Sequence, residues 1–451
     1  MSISISDYDV ATKILLVLFI TWASLEFMFY IYIRFHVAPR LNKQSGYVEP
    51  WFKHPKDIFQ DMYAMFELLG NSYTFQRFAS GFCLQAKFED IHSQNFDQFL
   101  SWALFCKKHQ SLDQEQMKAV ELTRNSAAER FKFTWNEGLN SSVRHCNFNL
   151  EPVCYIHRPL ALYWLLQSLE LYTSTKDLWL QGFRKYHLTK GCYYWIRVNK
   201  ASKKLPSVII HGICTGINYY VKLIRALSED RTVIIYNYDA VKMNSMVFQV
   251  PTAYDVNKHM NDILLKYKFT KAAFVCHSWG TFVFNWILKL SPNIVEHVSF
   301  IDPMSLIIVL PESTYTLVYK PSVSFADKLL YYFVRNDLTI SYTLRRHFAW
   351  YNMYLDFAEI PVDVGVTIGI AGKDELLSLD AINKLSDYYI NKRNTLRRSN
   401  SNIYVAPMKK LIWDDLGHSE AVTDDDCIKS IVALIGDNEY AIDQRNIKML
   451  A

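Results

Sequence analysis

The sequence predicts an α/β fold: a mostly parallel sheet with helices on both faces, preceded by an apolar helix and a helical N-terminal region. Three observations carry this. From about residue 190, short apolar runs rich in β-branched residues alternate with helical stretches, as in sheets buried on both sides. Residues 40–180 carry helical spacing with start and stop signals. Residues 14–33 are apolar over the thickness of a bilayer core.

The stretch "ILLVLFITWASLEFMFYIYI" holds twelve Leu, Ile, Val or Phe residues. At about 0.3–0.6 kcal/mol each, these favour insertion by roughly 4–7 kcal/mol. Glu26 opposes by about 3 kcal/mol if charged near the middle. The sequence therefore predicts a single transmembrane helix over 14–33. Lys13 is the sole base before the run and no small-x-small site follows, which argues against a signal peptide. Asp7 and Asp9 lie before the span and Arg34, Arg40 and Lys43 after it. The positive-inside rule then places the body of the protein in the cytosol. A buried or amphipathic helix is the competing reading, and Glu26 then marks a helix–helix contact.

Residues 40–180 read as mostly helical. "PKDIFQDMYAMFELLG" opens on proline and acids and closes on Gly70. "FDQFLSWALFCKKH" has helical apolar spacing, and "DQEQMKAVELTRNSAAERFKF" reads as a charged surface helix. "RPLALYWLLQSLELYT" reads as a packed helix, because Arg158, Gln167 and Glu170 bound or interrupt it. No catalytic constellation emerges in this region.

A second region, 181–440, follows. Strands are expected in "CYYWIRVN", "LPSVIIHG", "TVIIYNYD", "KAAFVCHS", "VEHVSFIDP", "VDVGVTIGIAGKDE" and "SNIYVAPMKKLIWDD". Helices are expected in "INYYVKLIRALSED", "AYDVNKHMNDILLKYK" and "WGTFVFNWILKL". Residues 304–360 are too long for a simple connection and read as a helical cap insertion.

Composition removes several function classes. The net charge is 49 − 44 = +5, too mild to indicate nucleic acid, and no phosphate-binding glycine motif is present. The eight cysteines form no C-x-x-C. The nearest metal-like cluster, His145, Cys146, Cys154 and His157, has the wrong spacing for a zinc knuckle. Reduced, buried thiols, with no metal and no cofactor, are expected.

The chemistry centres on "FVCHSWGTFVF". Ser278-Trp279-Gly280 is the sole Ser-x-Gly in the chain. Serine needs a base, a group to orient that base, and N–H donors for an oxyanion. Ser278 falls between a strand and a helix, where such groups gather in parallel sheets. The positions two residues either side must be small; Gly280 meets this, and Cys276 is one of the smaller substitutes. His277 reads as packing or pocket lining.

This turn resembles the nucleophile elbow of the α/β-hydrolase family. His211-Gly212 in "IIHGICTG" matches the family's oxyanion loop. Asp374 in "IAGKDELLS" and His418 in "DDLGHSEAV" stand where the family places its acid and its base. The resemblance implies a Ser278–His418–Asp374 triad, with backbone N–H donors on Ile213 and Trp279. Asp302, in "FIDP", also ends a strand and competes with Asp374 as the acid. "HGICTGINYY", "CHSWGT", "DPMSLIIVLPESTYTL" and "LRRHFAWYNMY" are similar to a group of membrane-anchored fungal-type serine hydrolases. Together these imply hydrolysis of carboxylic esters or lipids at a membrane. The alternatives are an acyltransferase using the same serine and a non-catalytic protein that binds a lipid or a partner.

Two features lie outside that constellation. His347, Phe348 and Trp350 in the cap read as a pocket wall or as helix packing. "NKRNTLRRSNSN", with Lys392, Arg393, Arg397 and Arg398, reads as a solvated loop; contact with anionic headgroups is the sharper alternative.

Overall fold

Eight strands form one sheet in the order β1-β2-β4-β3-β5-β6-β7-β8. They are β1 (Arg184–His187), β2 (Cys192–Arg197), β3 (Ser207–Ile210), β4 (Val233–Tyr238), β5 (Ala272–His277), β6 (Val295–Ile301), β7 (Gly365–Ala371) and β8 (Met408–Trp413). The structure, a computed structural model, describes residues 10–213, 216–243, 246–400 and 403–436. Asp7, Asp9, Cys214 and the end of the expected second region beyond 436 lie outside the described residues.

From β4 to β8 every neighbouring pair is parallel, whereas β1–β2 and β2–β4 are antiparallel. The parallel strands β3 to β7 are buried along both faces, which is why they read as continuous apolar runs; the edge strand β8 is only partly buried. Side chains alternate between two hydrophobic clusters. Phe274 and Cys276 of β5 join the larger cluster, and Ala273 and Val275 join the smaller. The larger face is covered by the helices Ala253–Lys266 and Gly280–Leu290. The smaller is covered by Val221–Ser228 and the helical residues 425–436.

Residues 304–360 are helical in short pieces, as expected. Helices Pro55–Leu69, Phe75–Phe82 and Ser93–Phe105 pack onto them and extend the larger cluster without a break. Gln114–Phe131 buries only Val120, Thr123 and Ala127, consistent with its charged, surface-type sequence.

Two expectations are corrected and two features are added. The apolar helix runs as one helix from Val10 to Asn42, with a π-turn at Tyr32–Val37. Its last turns bury Ile33, Val37 and Leu41 against Val153, Leu338 and Tyr342. Helix Leu160–Thr173 is not packed into the core, because Tyr163 is its one buried residue. The basic run ends the helix Leu379–Ser399 rather than forming a loop. There Arg393 is buried and donates to the carbonyls of Val364, Ile360 and Pro361. Finally, β1 was not anticipated: its residues are all exposed, so it lacks the apolar signal.

Candidate active site

Ser278 sits at φ 50° between β5 and the helix Gly280–Leu290. The turn is held by the Ser278 N–H donating to Ile301 O at 3.0 Å. A Cβ on Gly280 would fall 2.2 Å from Ile210 O, so only glycine fits beside β3. Cys276 faces the core and is fully buried. Burial raises its thiol pKa well above the ordinary value, which leaves it protonated and unreactive.

His418, after β8, brings Nε2 to 2.9 Å from Ser278 Oγ. Its Nδ1 lies 2.7 Å from Asp374 Oδ2. Asp374, three residues past β7, is fixed by accepting from Leu376 N at 2.7 Å. Burial by itself lowers the pKa of His418. The Asp374 carboxylate outweighs this, aided by the charge on Asp302, and holds the imidazole above its ordinary value.

Asp302, at φ 48° past β6, does not occupy the Asp374 position. It accepts from Ala371 N at 3.1 Å and from Ser419 N at 2.8 Å. It thus ties the end of β7 to the loop carrying His418. Burial raises its pKa, but His277, His418 and the Ser419 N–H together pull it below the usual carboxylate value. Ligand atoms of Asp302, Asp374 and His418 lie within 4.8 Å of one another, and the contacts just given account for all three residues. The sequence candidates His145, Cys146, Cys154 and His157 do not join in a cluster among the described residues.

Gly212 and Ile213 follow β3 and lie beside the serine turn. A Cβ on Gly212 would come within 2.9 Å of His277 Nδ1 and 3.0 Å of Ser278 Cβ. His211 accepts from Tyr238 N through Nε2 at 3.1 Å, and its Nδ1 lies 2.7 Å from Gly212 O. Burial brings its pKa down to about 4, so it is neutral and structural. Sequence reasoning missed Tyr220. Its hydroxyl accepts from Gly212 N at 2.8 Å and lies 2.6 Å from His277 Nδ1. In "INYY" it carried no signal beyond the start of a helix. His277 does not contact the serine hydroxyl; burial keeps its pKa low.

The cap residues divide between the two readings. Phe348 packs against Trp279, Phe282 and Phe148. Trp350 donates to Ala103 O at 3.0 Å and faces an aromatic cavity with Phe59, Phe82 and Phe99. Trp279 and His347 line a separate cavity of about 250 Å³. Chemically, the arrangement offers an oriented, polarised hydroxyl beside backbone N–H groups at a helix start.

Residues 208–397 match the family described as the alpha/beta hydrolase fold, and that is the fold of this chain. No curated protein matches. Among solved structures, carboxylesterase CesB (YbfK) from Bacillus subtilis is 12% identical, with a TM-score of 0.39 over 61% of this chain and 98% of its own. A membrane phospholipase A described as a bacterial virulence factor is 12% identical, with a TM-score of 0.42 over 61% and 93%. The esterase RhEst1 from Rhodococcus sp. ECU1013 is 13% identical, with a TM-score of 0.38 over 57% and 99%. At these scores the likeness carries no argument about substrate.

Proposed function

We propose, from this fold, a membrane-anchored serine hydrolase that cleaves carboxylic esters, lipid esters above all. The observation that carries this is the unbroken relay from Asp374 through His418 to Ser278, at 2.7 and 2.9 Å. His418 takes the proton from Ser278 as the hydroxyl attacks the ester carbonyl. The N–H groups of Ile213 and Trp279 receive the oxyanion. His418 then delivers the proton to the leaving alcohol, and water releases the acyl group by the reverse sequence. Asp374 fixes the tautomer of His418 and stabilises its charged form.

A lipid substrate is supported by the helix Val10–Asn42, which is long and apolar enough to cross a bilayer. Arg34, Arg40 and Lys43 at its far end favour a cytosolic body. The non-catalytic reading is disfavoured by a relay at hydrogen-bonding distance.

The test is fluorophosphonate labelling of the full chain in detergent, with Ser278→Ala and His418→Ala alongside. Wild type should label and both variants should fail. An unlabelled wild type, where a control hydrolase labels, would sink the enzyme reading. Product analysis with water against an added alcohol separates hydrolase from acyltransferase.

A further inference from the structure

We propose that residues 160–180 form a second membrane-contacting element, packed beside the N-terminal helix. This rests on the anchoring part of the reading above.

Leu160–Thr173 and its continuation Ser174–Trp179 have two faces. One holds the domain. Tyr163 and Leu178 are buried, and Glu170 accepts from the Tyr193 hydroxyl at 2.6 Å and from Lys242 Nζ at 2.7 Å. The other face presents Trp164, Leu165, Leu169 and Leu180, each 50–64% exposed, while the exposed Leu171 and Trp179 line the cavity on the domain side. A contiguous apolar face of this kind marks an interaction surface.

The occupant is identified by what adjoins that face. It continues directly onto the exposed apolar surface of the N-terminal helix. Trp22 meets Trp164 edge-on at 5.4 Å, and Phe29 meets Tyr163 at 5.9 Å. Beyond it, Lys176 stacks on Tyr172 and Arg184 on Trp179. Amphipathic aromatics mixed with cations form the belt found at bilayer surfaces with anionic headgroups.

Glu26 provides an independent argument. Its carboxylate accepts from Leu160 N at 2.8 Å and Ala161 N at 3.2 Å. An acid in an apolar span is costly, and a helix start facing lipid leaves N–H groups unsatisfied. Each of these two liabilities is answered by the other, and Pro159 supplies no side-chain cap. The pairing fixes residues 160–180 against the span at one height. A cavity of about 390 Å³ lies between this helix and Tyr193, Trp195 and Lys242. The Lys242 stem lies against Gly216, three residues past Ile213.

The experiment uses the full chain in phosphatidylcholine vesicles containing phosphatidylserine and a diazirine-bearing lipid, with crosslinks mapped by mass spectrometry. Label on both 14–31 and 160–180 is expected. Label on 14–31 alone overturns the proposal and leaves the anchor standing; label on neither overturns both. A companion variant, Leu165→Glu with Leu169→Glu, alters two exposed positions. Its fluorophosphonate labelling in detergent should match wild type, while hydrolysis of a vesicle-borne ester falls about tenfold. Unchanged vesicle activity, or a change in oligomeric mass in detergent instead, would mean that the face meets water or protein and overturn the proposal. Because the detergent labelling reports the serine independently, failure of the enzyme reading is distinguishable from failure here.

Discussion

The Tyr220 hydroxyl joins Gly212, at 2.8 Å, to His277, at 2.6 Å, and so clamps the loop after β3 to the residue preceding Ser278. Tyr220→Phe leaves a buried N–H and a buried ring nitrogen without their partner, at about 1–3 kcal/mol per unsatisfied group. The variant should fold with a lowered Tm. Its fluorophosphonate labelling should slow about tenfold, because the loop proposed to supply an oxyanion N–H at Ile213 loses its tie at Gly212. Thermal melts and labelling rates check this. Labelling at the wild-type rate, at a temperature where both are folded, would remove the clamp from the mechanism.

Two carboxylates near His418 should give separable phenotypes. Asp374→Asn removes the acceptor at Nδ1 and should reduce kcat about 10³–10⁴-fold. Asp302→Asn leaves that contact in place but removes a charge that helps raise the His418 pKa. The neutral imidazole then persists to lower pH, so the acid limb of the kcat/KM profile moves down. Stability follows the same signs. The contribution from the raised His418 is complete below about pH 6.5 and lost as pH climbs through its folded value. The contribution from the depressed Asp302 is present above about pH 4 and lost as pH falls through its folded value. A Tm–pH series on wild type and Asp302→Asn checks both. An unmoved acid limb in Asp302→Asn would assign Asp302 to loop anchoring alone.

The parts of the fold that were legible are those where one signal dominates. β3 to β7 bury both faces, and Gly70 and Gly280 stand where backbone geometry demands glycine. The residues expected to gather at one sheet edge, Ser278, Asp374 and His418, do gather there. Other features depend on distant partners. Arg393 looked solvated because its three carbonyl acceptors lie about thirty residues upstream in Ile360, Pro361 and Val364. Glu26 looked like a penalty because the helix start that it caps is 134 residues away. Tyr220 looked like any helical tyrosine. Local pattern does not encode pairings of that kind.

Cys276 and Gly280 flank Ser278 symmetrically in sequence but not in tolerance. Gly280→Ala would place a methyl 2.2 Å from Ile210 O. It should give insoluble or strongly destabilised protein, through overpacking against backbone. Cys276→Gly restores the family's usual residue and should retain labelling, at a stability cost of about 1 kcal/mol for strand glycine and lost packing. Iodoacetamide should leave Cys276 unmodified in the native protein, given its burial and raised pKa. Expression, urea midpoints and thiol mapping check the three statements. Loss of labelling in a folded Cys276→Gly would show that this position does more than fit.

Arg158 and Asp337 form an ion pair with side chains 1% exposed, joining the segment before Leu160 to the inserted helices. Arg158 also reaches the Tyr332 carbonyl. Asp337 accepts from Ile340 N at 3.0 Å, capping the helix Leu338–Arg346. Burial lifts the Asp337 pKa to about 6 even with Arg158 beside it. Removing the arginine leaves an unpaired buried carboxylate, so Arg158→Ala should cost about 3–5 kcal/mol near neutral pH. The loss should be smaller at about pH 5 than at about pH 8, because a folded pKa above the unfolded value makes stability fall as pH rises through it. Combining Arg158→Ala with Asp337→Asn should recover part of the loss, since Asn removes the charge and still caps Ile340. Urea midpoints at the two pH values test this. Equal losses at both would show that Arg158 acts through packing and the Tyr332 carbonyl rather than through the charge on Asp337.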